Sequence, residues 1–444
     1  MSERITVIGG GLAGCEAAWT IAGQGVPVTL IEMKPAHRSP AHRSDLLGEL
    51  VCSNSLKAKR IDSAAGLLKE EMRRMNSLCV AVADGCSVPA GGALAVDRER
   101  FAEGITRAIE EHPLITVEHT LAQDLPADGL TVAATGPLTA EPLAEKIRQL
   151  CGGALSFYDA AAPIVEAASV DPACSFAASR YDREESGQGD YLNCPMNKEE
   201  YEAFHAALIT AKRAPLHDFD RPDDKKVYEG CMPIEILAGR GLDAIRFGPM
   251  KPVGLRDPRT GHRPWAVLQL RRENAAGTML GLVGFQTNLT FPEQKRVFGM
   301  IPALKNAVFV RYGVMHRNTF LDSPRLLDAD LSLKRRPDLF FAGQITGVEG
   351  YMESAMAGIV AGQNALRRLR GEAPLCLPRT TMMGALIGYI TDGTVTDFQP
   401  MGANFGILPP LDEPPRDKRQ RYAALADRAL RDLAPYQLRK DDRP

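Results

Sequence analysis

Apolar residues recur along this chain at two spacings. Short apolar runs over 4–8, 26–31, 130–135 and 338–342 predict strands, and three of the four lead directly into a glycine: Gly9, Gly136 and Gly343. Elsewhere the apolar positions fall three or four apart, which predicts helices. Leu67, Leu68, Met72 and Met75 form one stripe behind a cap at Asp62 or Ser63. Phe101, Ile105 and Ile109 form a second behind Val96-Asp97-Arg98. Tyr201, Phe204, Leu208 and Ile209 form a third behind Asn197 and Glu200, which are spaced as a capping box. Ser354 to Leu369 reads as a helix rich in small residues. From about Tyr158 to Phe320 the texture changes. Strand-like pieces (Trp265 to Leu270, Met279 to Phe285, Val308 to Tyr312) alternate there with Pro/Gly turns and charged loops. The pattern predicts an α/β unit at each end of the chain with a mixed region inserted between them.

The first turn adds chemistry to this outline. Gly9-Gly10-Gly11-Leu12-Ala13-Gly14 follows the strand Arg4 to Ile8 and opens a helical run at Cys15, and the next strand ends on Glu32-Met33. Strand, GxGxxG, helix, strand and acid, in that order, make a dinucleotide fingerprint. Gly9 permits the tight turn, Gly11 lets a pyrophosphate approach the backbone, and Gly14 lets helix and strand pack closely. The helix N-terminus offers N–H groups to the phosphates, and Glu32 is expected to accept hydrogen bonds from a ribose. No second GxGxxG follows a predicted strand. One nucleotide unit completed by a distant C-terminal strand points to FAD: an α/β fold with a Rossmann-like FAD-binding domain of glutathione-reductase type and an inserted mixed α+β domain. The expected divisions are 1–155 and 325–444 for the two parts of the FAD-binding domain, the latter carrying a basic tail, and 156–324 for the insertion.

Composition narrows the setting. The chain has 444 residues, 45% of them hydrophobic and 24% charged, with a net charge of −2, as in a water-soluble globular protein. No apolar run reaches membrane-spanning length, and the chain enters its first strand with no leader, so a cytoplasmic location is expected. The nine cysteines form no CxxC pair and no zinc spacing, so no metal is expected. The charge neither announces a nucleic-acid binder nor excludes one.

A longer series of motifs makes the chain recognisable. Val51-Cys52-Ser53-Asn54-Ser55, Asp97-Arg98, Ala134-Thr135-Gly136, Tyr191 to Met196, Tyr228-Glu229-Gly230-Cys231-Met232-Pro233, Gly284 to Leu289, Arg311-Tyr312-Gly313, His316-Arg317-Asn318 and Ala342 to Ser354 follow the fingerprint in order. From end to end this resembles the folate- and FAD-dependent tRNA uracil-5-methyltransferases. The resemblance implies methylenetetrahydrofolate as carbon donor, FAD reduced by NAD(P)H, and the T-loop uridine of tRNA as target, converted to ribothymidine. It also places Cys231 and Cys52 near the flavin, with Gly9, Gly10, Gly11, Leu12, Ala13, Gly14, Glu32, Met33, Gly136, Gly343, Gln344, Glu349, Gly350 and Tyr351 as cofactor-binding residues.

The reaction explains why two cysteines matter. Uracil C5 is a poor nucleophile until a thiolate adds to C6 and turns C5 into a carbanion equivalent. A second group must then remove the C5 proton. Cys231 is assigned to C6, and Cys52 to acid/base work or to handling the one-carbon unit at the flavin, with exchange of the two roles left open. The other cysteines read as structural. Where flavoproteins of this kind often carry an acid after the strand-ending glycine, this chain has Gln344. Tyr351 is an aromatic for the isoalloxazine, and a helix N-terminus at Ser354 is expected to face the flavin. Trp265, Phe285, Asn288, Arg311 and His316 are candidates for folate. Arg271-Arg272, Lys334-Arg335-Arg336, Arg367-Arg368 with Arg370, and Arg416 to Arg421 are candidates for phosphates. The rivals are the related GidA flavoproteins of wobble-uridine modification, which carry a longer C-terminal helical domain, and a flavin-binding regulator without catalysis.

Overall fold

The computed structural model describes residues 4–39, 41–152, 155–160, 162–182, 189–214, 232–395 and 398–437; for 155–160, 182 and 315–319 it describes the backbone alone. Both ends of the chain build one six-stranded sheet. Its order is Ser332–Leu333, Arg336–Phe341, Thr131–Ala133, Ile5–Ile8, Val28–Glu32, Ile115–His119. All neighbours are parallel except the first pair. The central strands are apolar on both faces because helices cover both. Leu339 pairs in register with Thr131 and Phe341 with Ala133, so the late strand completes the sheet begun by the fingerprint.

Helix Leu12–Ala22 packs directly on helix Tyr351–Arg370. Small residues permit the approach: a Cβ on Gly358 would come within 2.1 Å of the Ala13 carbonyl oxygen, and one on Gly362 within 3.0 Å of that of Ala17. Ser63 caps helix Ala64–Arg74 by accepting from the Gly66 N–H, and Asp97 caps helix Arg98–Glu110 by accepting from that of Arg100. The basic C-terminal stretch is an amphipathic helix, Lys418–Leu433, which buries Leu425, Ala426, Ala429 and Leu433. Among the described residues no helix is long and apolar enough to cross a membrane.

The second sheet is antiparallel. Its order is Phe176–Ala178, Tyr191–Met196, Ala266–Arg272, Met279–Leu282, Ile164–Glu166, Phe309–Arg311. Helix Lys198–Thr210 lies against its core with Tyr201, Phe204 and Leu208 buried, and the Asn197/Glu200 capping box is formed. Ile209 departs from its expected place in that stripe: it is exposed, because one residue past Leu208 turns about 100° away from the buried face. Phe285, a folate candidate, is instead a core residue, fully buried between Phe204 and Phe298 at ring-centroid distances of 6.1 and 5.3 Å.

Two buried carboxylates hold helix N-termini from neighbouring helices. Glu16 accepts from the N–H groups of Leu78 and Cys79 at 3.1 and 2.9 Å, and Glu71 from those of Met382 and Met383 at 2.8 Å each. Burial raises the Glu71 pKa to about 8, against the lowering effect of its two N–H donors. A carboxyl raised in the folded state binds its proton more tightly there than in the unfolded chain. Its contribution is therefore full below pH 4.5 and is lost as pH rises through 8. We expect the melting temperature of the wild type to fall between pH 5 and pH 8.5, and Glu71→Gln to fall less over the same interval. Melts at several pH values check this; parallel curves for the two proteins would contradict it.

Candidate active site: a dinucleotide cradle opening onto Cys52

A cavity lies at the C-terminal ends of the parallel strands, where an open α/β sheet binds its ligands. Its wall carries Gly9 to Ala13, Glu32, Met33, Gly136, Gly343, Gln344 and Tyr351. Gly14, Glu349 and Gly350 are not on that wall and act behind it. A Cβ on Gly14 would lie 1.8 Å from the Gly9 carbonyl oxygen, so only glycine lets the helix begin there. Gly350 caps helix Tyr351–Arg370 at φ 126°, and the Glu349 carboxylate accepts from Gln344 Nε2 at 2.7 Å. The acid missing at position 344 is thus supplied to Gln344 from five residues on.

The cavity fits a dinucleotide. Gly11 caps helix Leu12–Ala22 with no side-chain hydrogen bond, no acid follows in the first turn, and a Cβ added to Gly11 would meet nothing within 4 Å. Backbone N–H groups and the positive end of the helix dipole are thereby available to phosphate. Glu32 is 5% exposed and accepts from the Gly10 N–H at 2.6 Å and the Lys34 N–H at 3.0 Å. These bonds fix the carboxylate, and its remaining lone pairs suit ribose hydroxyls. Substituting Gly14→Ala is expected to give protein purified without flavin, with FAD affinity lowered at least about tenfold; the flavin absorbance per polypeptide measures it. His42, Glu49, Thr120 to Ala122 and Pro137 to Ala140 also line the cavity. They sit in loops after strands, and only the strand ends marked them in the sequence.

At one end the wall carries Val51 and Tyr351, and Cys52 adjoins both. The helix after Gly350 starts at Tyr351, one turn earlier than Ser354, because Gly347 and Gly350 take the left-handed turns that aim the chain inward. The Tyr351 hydroxyl then lies 3.0 Å from Cys52 Sγ, and it accepts from the N–H groups of Cys52 at 2.7 Å and Ser53 at 3.3 Å. Two donors into the phenol oxygen leave its own hydrogen to point at sulfur. Burial, then the Cys52 sulfur, push the Tyr351 pKa well above its ordinary value, so the phenol keeps that hydrogen.

Three arginines from distant parts of the chain hold the 50–54 loop. Arg98 donates to the carbonyls of Leu50 and Cys52, and Arg311 to that of Val51. Arg271 donates to Asn54 Oδ1 at 2.8 Å and Ser53 Oγ at 2.9 Å. Glu273, buried, pairs with Arg98 at 2.7 Å and Arg271 at 3.7 Å. Burial lowers the pKa of Arg271 and Arg311; for Arg98 burial is also the largest single influence, but Glu273, Tyr351 and Cys52 together outweigh it and the net shift is upward. Arg271, a phosphate candidate, and Arg311, a folate candidate, are therefore both committed to the Cys52 loop. Asn288 donates its backbone N–H to Glu235 at 2.8 Å and its side-chain amide to the Ala214 carbonyl at 3.4 Å. Cys231 and the motif up to it, with the side chain of His316, lie outside the described residues.

The remaining cysteines separate by burial. Cys15, Cys79, Cys86, Cys151 and Cys194 are buried, and burial raises the pKa of each, as befits inert thiols. Cys174 is half-buried and Cys376 exposed, so these two are not core residues. Among the described residues no group of three or more metal-ligating side chains comes together.

Known proteins share this architecture. The family model described as glucose inhibited division protein A matches residues 4–373. The protein of Enterococcus faecalis named methylenetetrahydrofolate--tRNA-(uracil-5-)-methyltransferase TrmFO is 54% identical over 431 residues, spanning 97% of this chain and 98% of its own. The protein of the same name from Thermosynechococcus vestitus is 57% identical over 435 residues, spanning 98% and 94%. Among solved structures, Aquifex aeolicus GidA superposes with a TM-score of 0.72 at 18% identity, over 99% of this chain and 77% of that one; that likeness concerns the fold.

Proposed function

Since the chain belongs to the glucose inhibited division protein A family, and within it to the methylenetetrahydrofolate--tRNA-(uracil-5-)-methyltransferases, we propose how its residues divide the work of that reaction. The enzyme methylates uracil C5 in tRNA with methylenetetrahydrofolate and FAD. The observation that carries the assignment is the contact of Cys52 Sγ with the Tyr351 hydroxyl at the rim of the dinucleotide cavity.

The cradle from Gly9 to Ala13 would hold the pyrophosphate of FAD, Glu32 a ribose, and Gly136, Gly343 and Gln344 other parts of the cofactor. Bound and reduced, FAD supplies the two electrons that bring a methylene-level carbon to methyl. Cys231 adds to uracil C6, so that C5 can bond to the one-carbon unit while the bond from that carbon to its folate nitrogen breaks, the nitrogen keeping the electron pair. Cys52 takes the C5 proton, and the elimination of Cys231 restores the ring. Tyr351 steadies charge on the Cys52 sulfur by donating its phenol hydrogen, because a hydrogen bond to the charged form favours that form. The three arginines fix the loop rather than the substrate. The target is the uridine of the T-loop, flipped from its stack to reach the flavin, and NAD(P)H reduces the FAD.

The test supplies labelled methylenetetrahydrofolate, FAD and NADPH to unmodified tRNA and locates the methyl group by nuclease mapping. Label in ribothymidine of the T-loop supports the whole reading. Label in another loop would overturn the target, and flavin turnover with unlabelled tRNA would overturn the division of roles.

A further inference from the structure

Beyond the cleft, the loop that joins helix Ile234–Ala238 to strand Ala266–Arg272 has an unusual surface. Between 240 and 265 it carries six arginines and lysines against two aspartates, in a chain whose net charge is −2. Ile245, Met250 and Leu255 point inward and are buried, while Phe247 is 70% exposed and Val253 41%. Beside them Tyr181 is 61% exposed, its ring against Gly254. This exposure does not come from a loose loop. Tyr201 donates its hydroxyl to the Leu242 carbonyl at 2.5 Å, Arg180 donates to that of Val253 at 2.7 Å, and Arg246 to that of Trp265 at 3.0 Å. The Arg246 guanidinium lies 3.9 Å from the centre of the Trp265 ring and 5.2 Å from that of Phe247. Lys251, Arg256 and Arg263, in the same loop, are exposed.

A rigid loop that shows aromatic faces among cations has the features that hold nucleic acid: flat surfaces for bases and charges for the backbone. A protein interface also uses aromatics and arginine but is depleted of lysine and of charge at its core, whereas here the exposed Phe247 ring lies 5.2 Å from the Arg246 guanidinium and Lys251 is exposed in the same loop. We infer that this face is a second contact for the tRNA, separate from the flavin cleft, with Phe247 stacking on an unpaired base and Lys251 and Arg263 on phosphates. The inference rests on the tRNA methyltransferase reading. The geometry relates the two sites: strand Ala266–Arg272 runs from Trp265 to Arg271 beside Cys52, six steps of about 3.3 Å, or roughly 20 Å. One folded RNA arm, on the order of 20 Å wide, reaches both.

The test measures binding of an unmodified tRNA transcript across a salt series by fluorescence anisotropy. The proteins are the flavin-loaded wild type, Lys251→Glu/Arg263→Glu, Phe247→Ala and Phe247→Trp. The charge variant is expected to bind about tenfold or more weakly near 100 mM salt, with the slope of log K against log salt reduced by roughly one for each lost phosphate contact. Phe247→Ala should lose about 5- to 150-fold, the range for one stacked base, and Phe247→Trp should retain binding. Flavin content and melting temperature report folding, and all these side chains are exposed. Wild-type affinity and slope in the first two variants would overturn the inference. So would variants that bind tRNA normally but shift the sedimentation of the enzyme, which would make this face a contact between copies. Failure of the wild type itself to bind or methylate tRNA would instead count against the enzyme reading.

Discussion

Cys231→Ala is expected to leave the flavin in place and abolish methyl transfer, lowering the rate by at least about 10³-fold, as removal of a covalent nucleophile does. The reason lies in the substrate. Without an adduct at C6, uracil C5 has no carbanion character. Cys52→Ala should also be inactive, so loss of activity alone does not separate the two thiols. A tRNA carrying 5-fluorouridine does, because fluorine at C5 cannot be lost as a cation and the C6 adduct persists. A covalent complex is expected with the wild type and with Cys52→Ala, and none with Cys231→Ala. The reverse pattern would make Cys52 the nucleophile and Cys231 the base. Labelled methyl in the product from Cys231→Ala would remove that residue from the chemistry altogether.

The parts of this molecule visible in the sequence are those that a short stretch of chain determines. Gly9 to Gly14, followed by helix and acid, specify a local backbone path, and the structure shows that path with its cavity at the strand ends. The strand-then-glycine pattern at Gly343 was legible for the same reason, as were the capping box at Asn197 and the helix starts behind Asp62 or Ser63 and behind Val96-Asp97-Arg98. Three features were hidden because they depend on residues far apart. Arg98, Arg271 and Arg311 meet at one loop although they come from a helix and two strands of the second sheet, and neither periodicity nor motif links them. Phe285 sits in a motif beside polar residues and reads as a ligand contact, yet tertiary packing claims it for the core. The start of helix Tyr351–Arg370 was misplaced by a turn because a glycine at φ 126° can cap a helix as well as precede one. That turn decides whether Tyr351 belongs to a loop or to a fixed helix end aimed at Cys52.

Arg98 gives the arginine cluster a measurable consequence. Its guanidinium bridges Glu273 and two carbonyls of the Cys52 loop, and the Glu273 carboxylate is 4% exposed. Arg98→Ala would leave that carboxylate with only Arg271, at 3.7 Å. Breaking a buried pair costs about 3–5 kcal/mol, and the residual partner places the expected loss near 3 kcal/mol. The loop carrying Cys52 also loses two donors, so methyl transfer should fall about 100-fold, since an ångström of misplacement at a reacting group has that effect. The two losses can be pulled apart. In Arg98→Met/Glu273→Leu the uncompensated charge is gone, and most of the stability should return because apolar replacement of a buried pair is often neutral. The activity should not return, because the two Arg98 donors to the carbonyls of Leu50 and Cys52 are still missing. Denaturant melts and single-turnover methylation on the three proteins measure both quantities. Recovery of activity together with stability would show that Arg98 serves only the fold. Stability without activity would show that it positions Cys52.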